Sequence, residues 1–250
     1  MSCTNHDGVN YWNDNKSDYL EESLESVDFE SPKQQDDIFD NYSGRPPWYD
    51  SSGKMKEPYV VGLCGGSASG KTTVARKIIE RIKVPWVVIL SLDSFYKVLT
   101  KEQHEAANKM EYDFDSPNAI DLDLAIETLK KMKTGKTVKI PNYDFTTHTR
   151  LENNFTIVYG ANVILVEGLM TFYCKEFYDL MDLKIFVDTD SDLRLCRRVM
   201  RDMEQRGRDL SSIILQYSRF VKPNFDKHIS QTINLADIVI PWSYRQLLYI

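Results

Sequence analysis

The chain contains 250 residues, which is enough for one large or two small domains, and its formal net charge at pH 7 is −6. The charge is unevenly distributed: residues 1–57 contain thirteen acidic and five basic side chains, whereas residues 58–250 contain 24 acidic and 26 basic ones. The greater part of the chain is therefore nearly neutral. This argues against a nucleic-acid-binding protein, because such a protein needs a basic face.

The cysteines and the apolar runs bear on the cellular compartment. Cys3, Cys64, Cys174 and Cys196 form no C-x-x-C pair and show no metal-ligand spacing, which is typical of reduced intracellular thiols. The acidic N-terminus lacks the apolar core of a signal peptide, and no apolar run reaches the length of a membrane span. We therefore expect a cytoplasmic protein that does not bind a membrane.

Residues 1–56 are predicted to form a disordered acidic tail. The segment 20-LEESLESVDFESPKQQDD-37 is polar and acidic and has little aliphatic periodicity. An alternative is that aromatic residues such as Tyr11 and Trp12 bind a partner as a peptide. The folded domain is expected to span residues 57–250.

Short apolar runs alternate with longer helical patterns in this domain. Strands are predicted near 59–64, 87–91, 162–166, 183–187 and 237–241. Helices are predicted near 71–82, 121–133, 190–205 and 211–221. Because this alternation is typical of parallel sheets, we expect an α/β fold in which helices cover both faces of the sheet.

The pattern changes between residues 136 and 159. Apolar residues at 138 and 140, and again at 155, 157 and 158, predict two strands. The polar stretch 144-DFTTHTRLENN-154 is predicted to be the turn between them. We expect a β-hairpin arm outside the main sheet.

The stretch 59-YVVGLCGGSASGKTTVARKII-79 contains a phosphate-binding motif. Gly65 and Gly70 bracket four residues, and Lys71 and Thr72 follow. This matches G-x-x-x-x-G-K-[ST], the P-loop, between a strand and a helix. Lys71 would reach the β- and γ-phosphates of a nucleoside triphosphate, and the Thr72 hydroxyl would ligate Mg²⁺. A glycine-rich turn that binds nothing is the alternative. The predicted phosphate-binding residues are Gly65, Gly66, Ser67, Ala68, Ser69, Gly70, Lys71, Thr72 and Thr73.

Carboxylates follow two of the predicted strands, at the edge of the sheet where α/β proteins bind ligands. Asp93 follows 87-VVILS-91 and could accept a proton from a hydroxyl group or hold a metal-bound water. Alternatively, Asp93 caps a helix or turn. Glu167 follows 162-NVILV-166 and could orient Mg²⁺ directly or through water, or it could be structural.

The predicted helix near 190–205 is rich in arginine. Arg194, Arg198 and Arg201 share one helical face, and Arg206 and Arg208 flank a glycine that could act as a hinge. Charged helices are usually solvated, but arginines beside a phosphate site favour a lid that supplies positive charge to a transferring phosphate.

Several stretches together resemble the uridine–cytidine kinase family of P-loop nucleoside kinases, from about residue 57 to about residue 241. The stretches are 65-GGSASGKTTV-74, 91-SLDSFYKVLT-100, 114-FDSPNAID-121, 139-KIPNYDFTTHTR-150, 166-VEGLMTFY-173, 187-VDTDSDLRLCRRVMRDMEQRGRDL-210 and 216-QYSRFVKPNFDKHI-229. The resemblance implies a P-loop NTPase-type sheet with a hairpin arm and an arginine-rich lid helix. It also implies phosphorylation of uridine and cytidine at the 5′-hydroxyl by ATP with Mg²⁺, in a homo-oligomer.

The resemblance implies a role for each matching residue. Asp93 would be the general base, with Tyr96 beside it. The other catalytic residues would be Lys71, Arg201 and Arg206. The nucleoside-binding residues would be Asp115 and Arg198 at the ribose hydroxyls, Arg208 and Gln216 at the sugar end, and Tyr143, Phe145 and His148 at the pyrimidine. Without the family, His148 is interpreted as an exposed hairpin histidine, and the two aromatic residues are equally well explained by hairpin packing.

The chain departs from the family after residue 241. Its last residues are 242-WSYRQLLYI-250, with Arg245 where the family has an acidic residue near the nucleotide. We therefore expect a less stable domain with weaker affinity for ATP. The alternative function is a catalytically impaired chain that binds nucleoside or partner subunits. A kinase for another small alcohol is disfavoured by 143-YDFTTH-148.

Overall fold

The structure is a computed structural model that describes residues 50–54, 56–82, 84 and 86–241. The predictions for the acidic tail up to residue 49 and for residues 242–250 lie outside the described residues. The described domain lies between these two segments.

The predicted parallel sheet is confirmed. The strands are β1 (Tyr59–Gly65), β2 (Val87–Ser91), β3 (Val138–Asp144), β4 (Thr149–Val158), β5 (Val163–Gly168), β6 (Leu183–Asp188) and β7 (Ile238–Pro241). Five of them form one sheet in the order β2-β5-β1-β6-β7, with every neighbouring pair parallel. Because β1 and β5 are central and their residues are almost all buried, their apolar runs are nearly continuous.

The helices are α1 (Lys71–Ile82), α2 (Lys101–Asn108), α3 (Leu122–Lys133), α4 (Lys175–Tyr178), α5 (Ser191–Arg206), α6 (Leu210–Gln216) and α7 (Lys222–Asn224). The prediction of helices near 71–82, 121–133 and 190–205 is confirmed. Asp121 caps α3 by accepting a hydrogen bond from the Leu124 N–H at 3.2 Å. The short helices α2 and α4 carry no strong apolar period and are not predicted from the sequence.

Apolar side chains pack against both faces of the sheet, because alternate residues of each strand point to opposite faces. On one face, Val61 and Leu63 of β1 belong to a core with Val74 and Ala75 of α1. On the other face, Val60 and Cys64 belong to a larger core that includes α3. The expectation that helices cover both faces is therefore confirmed.

The hairpin arm is confirmed, but its predicted turn is too long. β3 and β4 form a separate two-stranded antiparallel sheet, and the turn covers only residues 145–148. Residues 149–154 belong to β4, which is exposed from residue 151 to residue 157. Because water covers residues 151–154 on both faces, this part of the strand has no apolar alternation to reveal it. His148 takes a left-handed backbone conformation in the turn (φ 53°).

The helix predicted near 211–221 is longer and less regular than expected. After α6, the chain continues through a π-helical turn (Tyr217–Val221), α7, a second π-helical turn (Phe225–Ile229) and a 3₁₀ helix (Ser230–Leu235). Pro223 has no N–H to donate, so an uninterrupted α-helix is disfavoured here. Within the part of the chain that is described, no helix has both the length and the apolar character that a membrane span requires.

Candidate active site

The phosphate-binding loop lies between β1 and α1, as predicted. Gly70 has a left-handed backbone (φ 96°), and a Cβ atom on Gly65 would lie 2.5 Å from a carbonyl oxygen of β6, so both positions favour glycine. The Lys71 ammonium donates to the carbonyl oxygen of Gly66 at 3.0 Å. The Ser69 hydroxyl is buried and has no hydrogen-bonding partner among the described residues. The other loop residues are partly or fully exposed: Ser67, Ala68, Thr72 and Thr73.

The back of this loop is held by the start of α5. The Thr189 hydroxyl donates to the carbonyl oxygen of Ser69 at 2.9 Å, and Arg194 Nε donates to the carbonyl oxygen of Thr189 at 3.0 Å. The Arg194 guanidinium lies 3.8 Å from the ring centroid of Phe225 and leaves no room for a Cβ atom on Gly66. Arg194 is 3% exposed, so it supports the loop from behind and does not face solvent.

Glu167 lies at the end of β5, beside the first turn of α1. Its Oε1 accepts hydrogen bonds from the Ser91 hydroxyl at 3.0 Å and the Thr72 hydroxyl at 3.4 Å. Burial raises the pKa of Glu167, the charge of Asp93 raises it further, and Lys71 lowers it. Carboxylate and hydroxyl oxygens are the ligands that Mg²⁺ prefers, so Thr72 and Glu167 fit such an ion.

A metal at this site would need further ligands. No group of three or more His, Cys, Asp or Glu residues among those described could hold a metal ion on its own. A site with few protein ligands suits Mg²⁺, because this ion usually keeps several waters and is bound by one or two carboxylates together with the substrate phosphates.

Asp93 lies in the short 3₁₀ turn that follows β2 (Leu92–Phe95). Ser91, and not Asp93, caps this turn, because the Ser91 hydroxyl accepts from the Asp93 N–H at 3.3 Å. Burial raises the pKa of three groups, those of Glu167, Tyr96 and Asp115. The negative charge of Asp93 raises each of them further. Asp93 is therefore close to the phosphate side and to the predicted nucleoside side of the site.

Aromatic side chains from the segment after β2, from β3 and from the hairpin turn cluster beyond Asp93, where the nucleoside pocket is predicted. The ring centroid of Tyr143 lies 5.1 Å from that of Tyr96 and 5.3 Å from that of Phe145. Phe114 stacks on the His148 ring at 4.6 Å. Burial lowers the pKa of His148, so this ring is neutral at pH 7. The Tyr143 hydroxyl is buried without a hydrogen-bonding partner among the described residues, so it is available to a polar ligand.

Polar side chains close the pocket on the side of α5 and α6. Arg198 donates to Gln216 Oε1 and to the Ser67 hydroxyl, both at 2.8 Å, and Arg208 donates to the same Gln216 oxygen at 3.1 Å. The Asp115 carboxyl is buried, and burial raises its pKa whereas the Arg198 charge lowers it. The structure therefore brings these four predicted nucleoside-binding residues together.

Four arginines of the predicted lid converge on one carboxylate. Asp202 has no solvent exposure, and its oxygens lie 2.8 Å from Arg201, 3.3 Å from Arg206, 3.5 Å from Arg208 and 3.6 Å from Arg198. Burial alone would raise the pKa of Asp202, but the arginines outweigh it and hold the pKa below its ordinary value. Asp202 therefore fixes the arrangement of the arginine cluster.

Arg201 and Arg206, which the sequence predicts to contact the transferred phosphate, take part in this cluster. The Arg206 guanidinium also lies 4.6 Å from the ring centroid of Phe145, at the wall of the aromatic pocket. Gly207 ends α5 in a left-handed conformation (φ 60°). Contact between these arginines and a phosphate, and a hinge at Gly207, stay predictions.

The sequence assigns no role to four residues that shape the site, which are Ser91, Phe114, Thr189 and Asp202. It predicts Arg194 to be part of the lid face, whereas the structure places this buried side chain behind the P-loop. Phe114 lies next to the predicted Asp115, and Asp202 is an acidic residue within a run of arginines, so both carried a weak signal. The contacts of the others join segments that are distant in sequence.

The fold and the site define a class of protein. A parallel sheet whose first strand ends in a P-loop, and whose two neighbours on one side end in carboxylates, is the arrangement of P-loop kinases. Residues 60–248 match the sequence model of the "Phosphoribulokinase / Uridine kinase family". The chain belongs to this family.

Curated relatives are similar over the same region. The chain is 58% identical over 200 residues to mouse (Mus musculus) uridine-cytidine kinase-like 1, which covers 80% of this chain and 36% of the relative. It is 55% identical over 199 residues to uridine-cytidine kinase A of Dictyostelium discoideum, and this match covers 80% of this chain and 39% of the relative. It is 48% identical over 187 residues to uridine-cytidine kinase B of the same organism, and this match covers 74% of this chain and 75% of the relative. The chain thus spans less than two fifths of the length of the first two relatives.

Solved structures share the fold at low sequence identity. A D-glycerate 3-kinase from Cryptococcus neoformans superposes with a TM-score of 0.54 at 16% identity, over 72% of this chain and 81% of that one. A protein described as a possible uridine kinase from Bacillus stearothermophilus has a TM-score of 0.51 at 18% identity, over 75% and 91%. At such identities the likeness supports the fold and no more.

Proposed function

We propose that this chain transfers the γ-phosphoryl group of ATP to the 5′-hydroxyl of uridine or cytidine, giving UMP or CMP and ADP. The observation that carries the proposal is the position of Asp93. Its charge acts on Glu167 beside the P-loop and on Tyr96, Tyr143 and Asp115 in the pocket. A carboxylate between a phosphate-binding loop and a polar aromatic pocket suits a general base for a hydroxyl acceptor.

The P-loop side would bind and orient the phosphates. The loop N–H groups at the start of α1 and the Lys71 ammonium would hold the β- and γ-phosphates, and the unpartnered Ser69 hydroxyl offers a further hydrogen bond. Thr72 and Glu167 would hold Mg²⁺, which supplies charge neutralisation when it is bound. These contacts would align the γ-phosphorus with the acceptor.

The acceptor side would activate the hydroxyl. Asp93 would take the proton of the 5′-hydroxyl group. At the same time, the 5′-oxygen would form a bond to the γ-phosphorus, and the bond between this phosphorus and the bridging oxygen of ADP would break. Tyr96, which packs against Tyr143, would hold the nucleoside beside this carboxylate. The lid arginines Arg201 and Arg206 would neutralise charge on the migrating group.

The pocket favours a pyrimidine nucleoside. Tyr143 and Phe145 offer aromatic faces, and the buried Tyr143 hydroxyl and the neutral His148 ring offer polar groups for the base edge. Asp115 and Arg198 would bind the ribose hydroxyls, with Arg208 and Gln216 beside them. We also expect from the sequence a kinase domain over residues 57–250, a homo-oligomer and a cytoplasmic location.

A coupled ADP-release assay tests the proposal. The chain is supplied with ATP, Mg²⁺ and either uridine, cytidine or adenosine, and we expect turnover with the two pyrimidines only. Asp93→Asn should lower kcat by about 10²–10⁴-fold, as loss of a general base does. Asp123→Asn, on the exposed face of α3, is the matched control. Undiminished turnover in Asp93→Asn would mean that Asp93 is not the base. Turnover with adenosine would refute the pyrimidine specificity.

A further inference from the structure

Asn224, at the end of α7, is a buried polar residue between the two π-helical turns. Its Nδ2 lies 2.9 Å from Asp113 Oδ1, 2.8 Å from Asp113 Oδ2 and 2.9 Å from the carbonyl oxygen of Phe220. All three neighbours are oxygen atoms, and an ionised carboxylate and a carbonyl only accept hydrogen bonds. The orientation of the amide is therefore fixed: its N–H groups face Asp113 and the preceding turn.

Asp113 links Asn224 to Asp115, the residue that is predicted to bind ribose. Its Oδ1 also accepts a hydrogen bond from the backbone N–H of Asp115 at 3.1 Å. The intervening residue, Phe114, and its neighbour Tyr112 form the edge of the aromatic pocket, with ring centroids 4.7 Å apart. The loop that carries Asp115 is thus held by the hydrogen bonds between Asp113 and Asn224, and its Phe114 packs against other aromatic rings.

The same helical stretch reaches the other half of the ribose site. Gln216, at the end of α6, accepts hydrogen bonds from Arg198 and Arg208. Asn224 lies about two turns further along the same stretch. One continuous helical segment is therefore linked to both groups that are expected to bind the ribose hydroxyls. Its Gln216 contacts Arg198 directly, and its Asn224 contacts Asp113, which in turn binds the backbone of Asp115.

We propose that Asn224 and Asp113 are positioning residues that hold the Asp115 carboxylate in place for the ribose hydroxyls. They touch neither the P-loop nor Asp93 in the described contacts, so they set the affinity for the nucleoside and not the affinity for ATP. The inference rests on the proposed function, because it takes Asp115 as the residue that binds ribose.

Asn224→Ala tests the pair. We expect the KM for uridine to rise about tenfold, the effect of losing a hydrogen bond to a charged group, while the KM for ATP stays within about twofold. The preference for uridine over 2′-deoxyuridine should fall, because a displaced Asp115 no longer selects the second hydroxyl. Lys222→Ala is the control: it removes an exposed ion pair with Asp226 from the same helix. A purely structural role for Asn224 would lower the melting temperature without changing this preference.

An exchanged pair keeps the test sharp if Asn224→Ala unfolds. Asn224→Asp would place two carboxylates against each other and should raise the uridine KM more than Asn224→Ala does. Adding Asp113→Asn supplies an amide donor that faces the new carboxylate at position 224 and keeps an oxygen acceptor for the Asp115 N–H. The double variant should therefore recover part of the lost affinity. No recovery in a folded double variant, or an unchanged uridine KM in Asn224→Ala, would overturn the inference.

Failure of the proposed function is recognised separately. If the native chain does not turn over a pyrimidine, the proposed function fails, and uridine binding by calorimetry then replaces KM as the readout for the same variants. A weaker Kd for uridine in Asn224→Ala would still support the positioning role. If the native chain binds no uridine, both proposals are refuted.

Discussion

Replacing Asp202 by Asn should destabilise the domain, because four arginines share this carboxylate. The substitution keeps the shape of the side chain and removes only its charge, so no cavity is created. It leaves the guanidinium groups of Arg198, Arg201, Arg206 and Arg208 without their common counter-ion. Glu204→Gln is the matched control, since it makes the same chemical change at an exposed position of α5.

The size of the effect follows from burial. Removing one partner of a buried ion pair costs about 3–5 kcal/mol. Three of the arginine side chains are 17–31% exposed, so water can compensate part of the loss, and only Arg198 is nearly as buried as Asp202 itself. We therefore expect the lower end, about 3 kcal/mol in the free energy of unfolding, or roughly 6–12 °C in the melting temperature of a domain of this size.

The pH dependence gives the sign of the effect. The pKa of Asp202 is lower in the folded protein than its ordinary value of 3.8, so its contribution to stability is complete above that value and is lost as the pH falls through the folded pKa. In urea unfolding, the difference between the native chain and Asp202→Asn should be constant from about pH 8 to pH 5 and shrink below about pH 4. A melting temperature equal to that of Glu204→Gln, or a difference that grows on acidification, would refute this reasoning.

Two further predictions concern the site. Glu167→Gln should raise the Mg²⁺ concentration for half-maximal activity by about tenfold, because the carboxylate beside Thr72 is lost. A Mg²⁺ titration checks this, with Glu127→Gln, at an exposed position of α3, as the control. An unchanged midpoint would exclude Glu167 from the metal site. His148 should bind the base as a neutral ring. Because burial lowers its pKa from 6.5, the KM for uridine should stay flat from about pH 8 to pH 6.5 and rise below that range, and His148→Gln should abolish the acid-side rise. A KM that rises toward alkaline pH would contradict it.

The fold and the centre of the site could be predicted because their signals are local. The P-loop is a contiguous motif, and the carboxylates of Asp93 and Glu167 follow apolar strands directly, so parallel pairing alone brings them to one edge of the sheet. Asp202 shows where such reasoning ends. Within a run of arginines it resembles one charge of a solvated helix, yet it is fully buried because four guanidinium groups neutralise it.

Long-range contacts account for what the sequence does not reveal. Arg194 supports the P-loop through Thr189 and also stacks on Phe225, and Asn224 contacts Asp113, which is 111 residues away along the chain. No spacing rule connects such pairs. The extent of β4 was hidden for the opposite reason: an exposed hairpin strand makes few contacts that would impose a pattern on its residues.

The place of β5 in the sheet has a consequence for how this site could change. Glu167 pairs in register with Leu63 of β1 on one side and with Ser91 of β2 on the other. Neighbouring strands lie about 4.8 Å apart, so β5 sets the distance between the P-loop after β1 and Asp93 after β2. A slip of one residue would turn Glu167 to the opposite face, where Ile164 and Val166 of β5 belong to the larger apolar core. Such a slip is disfavoured because it would bury the carboxylate without its hydrogen-bonding partners. The acceptor pocket on the β2 side and the hairpin can therefore vary while the spacing across the sheet stays the same.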